Sequence, residues 1–189
     1  MSNYVWNKVI CDKDTLDKYF IDYKPFGEDE SLIEPYITFN KLFNVESLYE
    51  YGNKYDVDIY YGRGFLYKTQ EDGRFEILFC TKWKYPIEAI KKTLTLSRNT
   101  EWYAVEENRI YVSRFYWDNG IKEGVIVIED GYYQWCHENE DLMENIEDPD
   151  DGVWHYLESA KEEWQNWESV DDFKRYEDAV VKIRLPFYN

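Results

Sequence analysis

Residues 74–83 read RFEILFCTKW, an apolar run opened by the turn signal Glu71-Asp72-Gly73 and followed at close range by Pro86. A short run rich in aromatic and β-branched side chains, bounded by turn residues, is the pattern of a strand buried in a sheet. Immediately beyond it, Pro86 sits where a first helical turn tolerates proline, and Ile87, Ile90 and Leu94 recur at helical spacing through PIEAIKKTLTLS. This predicts a helix from Pro86 to about Ser97. Three more strands are expected after it: EWYAVEE (101–107), RIYVSRFYW (109–117) and EGVIVIED (123–130). Glu107-Asn108 and the turn Asp118-Asn119-Gly120 separate them. A strand, a helix and then an antiparallel meander define an α+β domain in which the helix has a sheet face to cover.

Working outward, residues 3–11, NYVWNKVIC, alternate enough to predict a strand, and DKDTLDKYF (12–20) a short helix opened by an acidic cap. FGEDESLIE (26–34) is charged and reads as a loop. PYITFNKLFNV (35–45) has strand composition with Pro35 as its opening punctuation. Residues 45–67 begin helically and end as a strand, with Gly52, Gly62 and Gly64 at turns or bulges. Beyond Asp130 a Trp-bearing helix is expected, followed by a strand, AVVKIRLPF (179–187). The expected organisation is thus a domain over 1–130 and an acidic extension over 131–189 packed on it.

The chain of 189 residues has ten Phe, 19 Tyr and eight Trp, far more aromatic area than a disordered acidic protein carries. Aromatics in such excess suggest an interface as well as a core. Acids outnumber bases by 39 to 22, a formal charge of −17. That field disfavours direct DNA or RNA binding, which uses Lys and Arg to displace counterions, and favours a basic protein partner. Within residues 137–172 there are fourteen acids against Lys161 alone; fourteen minus one leaves thirteen of the net charges in that stretch. Three widely spaced cysteines, Cys11, Cys80 and Cys136, argue against a disulfide framework. The absence of a signal-like opening and of a long apolar span gives the cytosol as the expected compartment, with no membrane partner.

Three blocks carry a family likeness. Asn3, Val5 and Asn7 followed by a short helix are similar to the "N-x-[VW]-x-N" opening strand of the YubB-type ferredoxin-like domain family. Phe39-Asn40-Lys41-Leu42-Phe43 resembles that family's "FNKIIP" segment, with Asn44 where the family prefers proline. Phe79-Cys80-Thr81-Lys82-Trp83-Lys84-Tyr85-Pro86 resembles its "F-x-T-x-W-x-x-P" signature, whereas Tyr61-Gly62-Arg63-Gly64 departs from the family's "WGTKW". The likeness covers about the first 130 residues. It implies a ferredoxin-like antiparallel sheet with helices on one face, in a family encoded mainly on phages and other mobile elements and without a catalytic motif to transfer.

No chemistry-bearing pattern is complete. Cys136, His137 and His155 lack the spacing of a zinc site. Glu147, Asp151, Gly152 and Glu158 occupy positions of a calcium loop, but Pro149 stands where a side-chain oxygen is required. Gly62 and Gly64 lack the third glycine and the strand-to-helix context of a nucleotide loop. No cofactor, metal or catalytic residue is therefore expected. Trp154, Leu157, Ala160, Trp164 and Trp167 recur at helical spacing, which predicts one apolar stripe that docks on the sheet and leaves carboxylates outward.

The expected function is binding: an acidic protein that inhibits a host defence or nucleic-acid-handling protein with a basic groove, its carboxylates standing in for phosphates. The expected contact residues are Glu138, Glu140, Asp141, Glu144, Asp150, Asp151, Glu158, Glu162 and Glu163. The aromatic strand from Tyr111 to Trp117 is the alternative interface. An enzyme acting on a nucleotide signal and an oligomeric assembly protein are the rival classes; the sequence leaves oligomeric state open.

Overall fold

The computed structural model describes residues 4–26, 29–44, 59–60, 66–82, 85–105, 108–146, 152–160 and 167–169. They form an α+β fold. Its centre is β1 (Tyr4–Cys11), paired antiparallel on one side with β6 (Phe75–Lys82) and on the other with β7 (Glu101–Val105). The apolar run from Phe75 to Lys82 is thus a strand within the sheet, as its composition predicts. From β7 the sheet continues through β8 (Tyr111–Trp117) to β9 (Ile121–Val127), each pair antiparallel. The meander expected from the sequence is present, with its second turn at Asn119 (φ 51°) and Gly120 (φ 138°). Shorter strands β4 (Ile59–Tyr60) and β5 (Leu66–Thr69) pair with β6, and β10 (Glu168–Ser169) pairs with β9. Among the described residues this makes one eight-stranded antiparallel sheet.

One sheet face is built around aromatic side chains. Phe20, Phe39, Phe79 and Trp102 meet edge to face or tilted, with ring centroids 5.5–6.1 Å apart. Such pairs add to the burial of their own area. At their centre Asn7, fully buried, accepts from Trp102 Nε1 at 3.0 Å and donates to Val5 O and Thr81 Oγ1. This satisfies an indole and an amide that burial would otherwise penalise. Nearby, the Tyr85 hydroxyl donates to Ala104 O, and Ser113 Oγ donates to Glu123 at 2.7 Å.

Helices close this face. Asp12 caps α1 (Lys13–Thr15) by accepting from Thr15 N at 2.7 Å, and the chain continues as a π-helical turn, Leu16–Phe20, that buries Leu16 and Phe20. Asn40–Phe43 forms α2, and Ile87–Leu96 forms α3, which buries Ile87, Ala89, Ile90, Thr93 and Leu94. The spacing in PIEAIKKTLTLS is realised as a helix on the sheet.

Two local expectations are corrected. Phe26 and residues 29–34, read as loop, are strand: β2 (Ile21–Phe26) and β3 (Asp29–Ile37) form a separate two-stranded ribbon. A ribbon is held by its own ladder, so its sequence need not alternate. Residues 35–45 are not one strand either. After Ile37 the Thr38 hydroxyl accepts from Asn40 N, starting α2, and Asn44 ends it in the left-handed region at φ 54°. Asparagine tolerates that conformation, so it terminates the helix there.

The other sheet face carries the C-terminal helices α4 (Glu129–Glu138), α5 (Glu140–Asn145) and α6 (Gly152–Ser159). Trp6, Val105, Val112 and Ile126 from the strands pack with Ile128, Tyr132, Val153 and Trp154 in a second buried cluster. The stripe from Trp154 to Trp167 is not one helix: α6 ends at Ser159, and Trp167 lies in non-helical chain beside β10. The helical start expected after residue 45, the strand expected at 179–187 and Trp164 lie outside the described residues.

Candidate functional site

Two features stand out, one foreseen and one not. The acidic region anticipated from charge is folded where it is described. Glu138, Glu140, Asp141, Glu144 and Glu158 are all exposed, on α4, α5 and α6. Asp150, Asp151, Glu162 and Glu163 lie outside the described residues. Over residues 129–146 and 152–160 there are seven Asp or Glu and no Lys or Arg. An aromatic seam joins α4 to α6: Tyr132 and Trp135 each meet Tyr156, with ring centroids 5.7 and 5.8 Å apart. Arg109, itself at φ 54°, places its guanidinium 4.6 Å from the Trp6 ring and 5.8 Å from that of Tyr132. The carboxylates of α4 and α6 therefore sit on helices packed against the sheet. Their chemistry is that of a negative surface: they can pair with Lys or Arg of a partner in exposed, individually weak contacts.

The aromatic strand offered as the alternative interface presents its rings in part. Tyr111 and Phe115 are buried, and Tyr116 and Trp117 are half-buried. Among the described residues, the large hydrophobics that are exposed are Tyr23, Leu96, Tyr133 and Leu142. Among the described side chains, the aromatic ones other than Tyr23 and Tyr133 are buried or half-buried.

The unforeseen feature is a cleft of about 620 Å³ on the sheet face that also carries the C-terminal helices. Its floor follows from strand register. Lys8 pairs with Tyr103 across β1 and β7, Tyr103 with Arg114 across β8, and Ile10 with both Glu76 and Glu101, so all six point to one face. The β5–β6 turn forms one wall with Gln70 and Arg74, and Leu157, Glu158 and Trp167 form the opposite wall.

Charge in the cleft is organised in two knots. Glu101 accepts from Arg74 Nη1 at 3.0 Å, Arg114 Nε at 2.9 Å and the Tyr103 hydroxyl at 2.8 Å, while Arg114 Nη2 lies 2.7 Å from the same carboxylate. Burial alone would raise the Glu101 pKa. The charge of Arg114 and the bonds from Arg74, Tyr103 and Arg114 outweigh it and hold the carboxyl below its ordinary value. Burial, together with the Glu101 charge, pushes the Tyr103 phenol up, so it remains a donor. The second knot joins Lys8 Nζ to Glu76 at 3.7 Å, with Gln70 Nε2 donating to the same oxygen at 2.7 Å. Lys8 also lies 5.0 Å from the Trp154 ring, which links the floor to α6. Trp167 leans on Tyr103 with ring centroids 5.9 Å apart and covers Gly124.

Comparison with models of protein families, with curated proteins and with solved structures finds no match for this chain. The two features must be read from their own chemistry. Among the described residues no group of three His, Cys, Asp or Glu could hold a metal ion, and the three cysteines are free. Burial pushes the Cys11 thiol up to about 12, which leaves it a poor nucleophile. The calcium-like positions Glu147 to Asp151 lie outside the described residues, while Gly152 opens α6 and Glu158 is exposed near its end. No described helix is long and apolar enough to cross a membrane.

The cleft residues were not legible as a site because they come from four strands, a turn, a helix and the chain beside β10. The available signal was positional: Lys8, Glu76, Glu101 and Arg114 are charges set inside otherwise apolar strands.

Proposed function

We propose that this protein acts by binding a basic protein partner through the acidic surface of α4 to α6, its carboxylates occupying the place of nucleic-acid phosphates. The partner class is a host defence or nucleic-acid-handling protein with a basic groove. One observation carries the reading: seven carboxylates with no Lys or Arg lie on α4 to α6, two of which, α4 and α6, pack on the sheet through Tyr132, Val153 and Trp154. A solubilising charge need not be concentrated on one rigid segment, whereas a surrogate for a phosphate array must be. Because each exposed pair contributes only about 0.2–1 kcal/mol, affinity comes from the array, and its long-range effect is on association rate.

The ferredoxin-like assignment is part of this proposal. The order β7-β1-β6 with β5 beside β6, and helices after β1 and β6, supports it. The phage or mobile-element origin, and with it the host target, rests on the sequence resemblance alone.

The test is capture of partners from a bacterial lysate by the wild-type protein and by the triple variant Glu140→Lys, Asp141→Lys, Glu144→Lys. The expected result is a basic nucleic-acid-binding protein retained by the wild type and lost by the variant, with equal melting temperatures. Retention of the same partner by both proteins would remove the acidic face from the interface.

A further inference from the structure

The cleft has a chemistry that partner binding does not use. A guanidinium carries five N–H donors in a fixed fork, and each carboxylate oxygen has two lone pairs. Arg114 directs Nε and Nη2 at Glu101, and Arg74 gives Nε to Asp72 and Nη1 to Glu101. Arg114 Nη1 and Arg74 Nη2 have no acceptor among the described residues, and the two side chains are 29% and 31% exposed. Glu101 fixes the forks relative to one another before any ligand arrives.

Acceptors are open beside these donors. Gln70 donates through Nε2 to Glu76, and its Oε1 has no donor among the described residues. Glu101 Oε1 accepts one bond, from Arg74 Nη1, and keeps a second lone pair. Asp72 accepts from Arg74 N and Nε, with 50% of its side chain exposed and lone pairs to spare.

Charge decides what can use them. Among the described residues of the lining, three bases, Lys8, Arg74 and Arg114, face five acids, and each base lies against at least one of those acids. No surplus positive charge is left for an anion. A cation meets the opposite obstacle: the acceptors next to the forks are already held by Arg74 and Arg114, whose charges repel it at short range. A hydroxyl is neutral and both donates and accepts, so it can use the open donors and acceptors together. Two hydroxyls on adjacent ring carbons hold that pattern in a fixed relation, which limits the freedom lost on binding. On the opposite wall Leu157 and Trp167 give apolar area for the C–H groups of such a ring. The volume, about 620 Å³, lies in the usual range for small-molecule sites.

We propose that this cleft binds a neutral sugar, whose adjacent hydroxyls accept from Arg74 Nη2 and Arg114 Nη1 and donate to Glu101, Asp72 and Gln70 Oε1. The site is independent of the acidic surface of α5, whose carboxylates are not among its lining residues.

The experiment titrates the intact protein by calorimetry with glucose, galactose and mannose. Each sugar is compared with its uronate and its 6-amino-6-deoxy derivative, which differ from it only at C6 and carry a negative or a positive charge there. At least one neutral sugar should saturate by about 10 mM and bind at least about threefold more tightly than both of its charged counterparts. Arg114→Lys and Arg74→Lys keep a positive charge beside Glu101 but lose the fork. Each should raise the Kd at least about fivefold, with thermal melts confirming that the variant is folded. The triple reversal on α5 should bind the sugar as the wild type does, so this inference and the acidic-face reading stand or fall separately. No saturation by any of the three sugars up to about 10 mM overturns the proposal. Equal or tighter binding of a charged counterpart also overturns it, as does a Kd that both folded lysine variants leave unchanged.

Discussion

Substituting Asn7 tests whether the polar contact at the centre of the aromatic core holds β1, β6 and β7 together. Asn7 and Trp102 are both fully buried, and their 3.0 Å bond satisfies the indole N–H. Asn7→Ala leaves that donor with no acceptor, a loss of about 1–3 kcal/mol, and opens a small cavity worth roughly 1 kcal/mol more. The Thr81 hydroxyl can rotate to another acceptor, so it adds little. The expected sum is about 3 kcal/mol, a large share of the total stability of a domain this size and a fall in Tm of about 6–12 °C. Trp102→Phe removes the donor from the other side, leaves Asn7 Oδ1 stranded and also loses ring volume. The pair is therefore best read as a double-mutant cycle by urea denaturation. Asn7→Ala with Trp102→Phe should destabilise by at least about 1 kcal/mol less than the sum of the single changes, because both orphans vanish together. Strict additivity would show that the bond contributes nothing and that Asn7 matters only through its volume.

Two further outcomes follow from geometry and charge. In Gly124→Ala the new Cβ would lie 2.6 Å from Trp167 Cβ, so Trp167 must leave the sheet; Tm should fall by about 3–10 °C, and hydrogen exchange at residues 167–169 should rise. For Glu101, the folded pKa lies below the ordinary 4.5. The stabilisation is therefore fully present above that value and is lost as pH falls through the lower folded value. Urea midpoints from about pH 3 to 6 should show a shallower acid limb for Glu101→Gln than for the wild type, and identical slopes would refute the linkage.

The elements that could be read from the chain are those whose burial is decided locally. Residues 74–83, the helix after Pro86 and the meander each carry their own pattern of apolar side chains, because each has one face or both faces in the core. Local pattern failed where pairing or capping replaces burial. The β2–β3 ribbon is held by its own ladder, so its charged second strand resembles a loop. Phe39 and Leu42, which look like strand residues, instead anchor a single helical turn that Asn44 stops. The acidic region was visible because charge density is a sum over sequence. The cleft was not, since Lys8, Arg74, Glu101 and Arg114 converge only through the register of β1, β6, β7 and β8, which no single segment encodes.

Salt tests the acidic-face reading directly. A basic partner is drawn by the net charge of −17 over distances that the Debye length limits to about 8 Å at physiological ionic strength. Raising salt shortens that reach, so its association should slow and its Kd should rise steeply. Between about 0.05 and 0.5 M salt the partner's Kd should climb by about tenfold or more, with most of the change in the association rate. A Kd that stays level over that range would show that the carboxylates of α4 to α6 do not carry the binding, because an array of exposed pairs has no other source of affinity that salt would leave untouched.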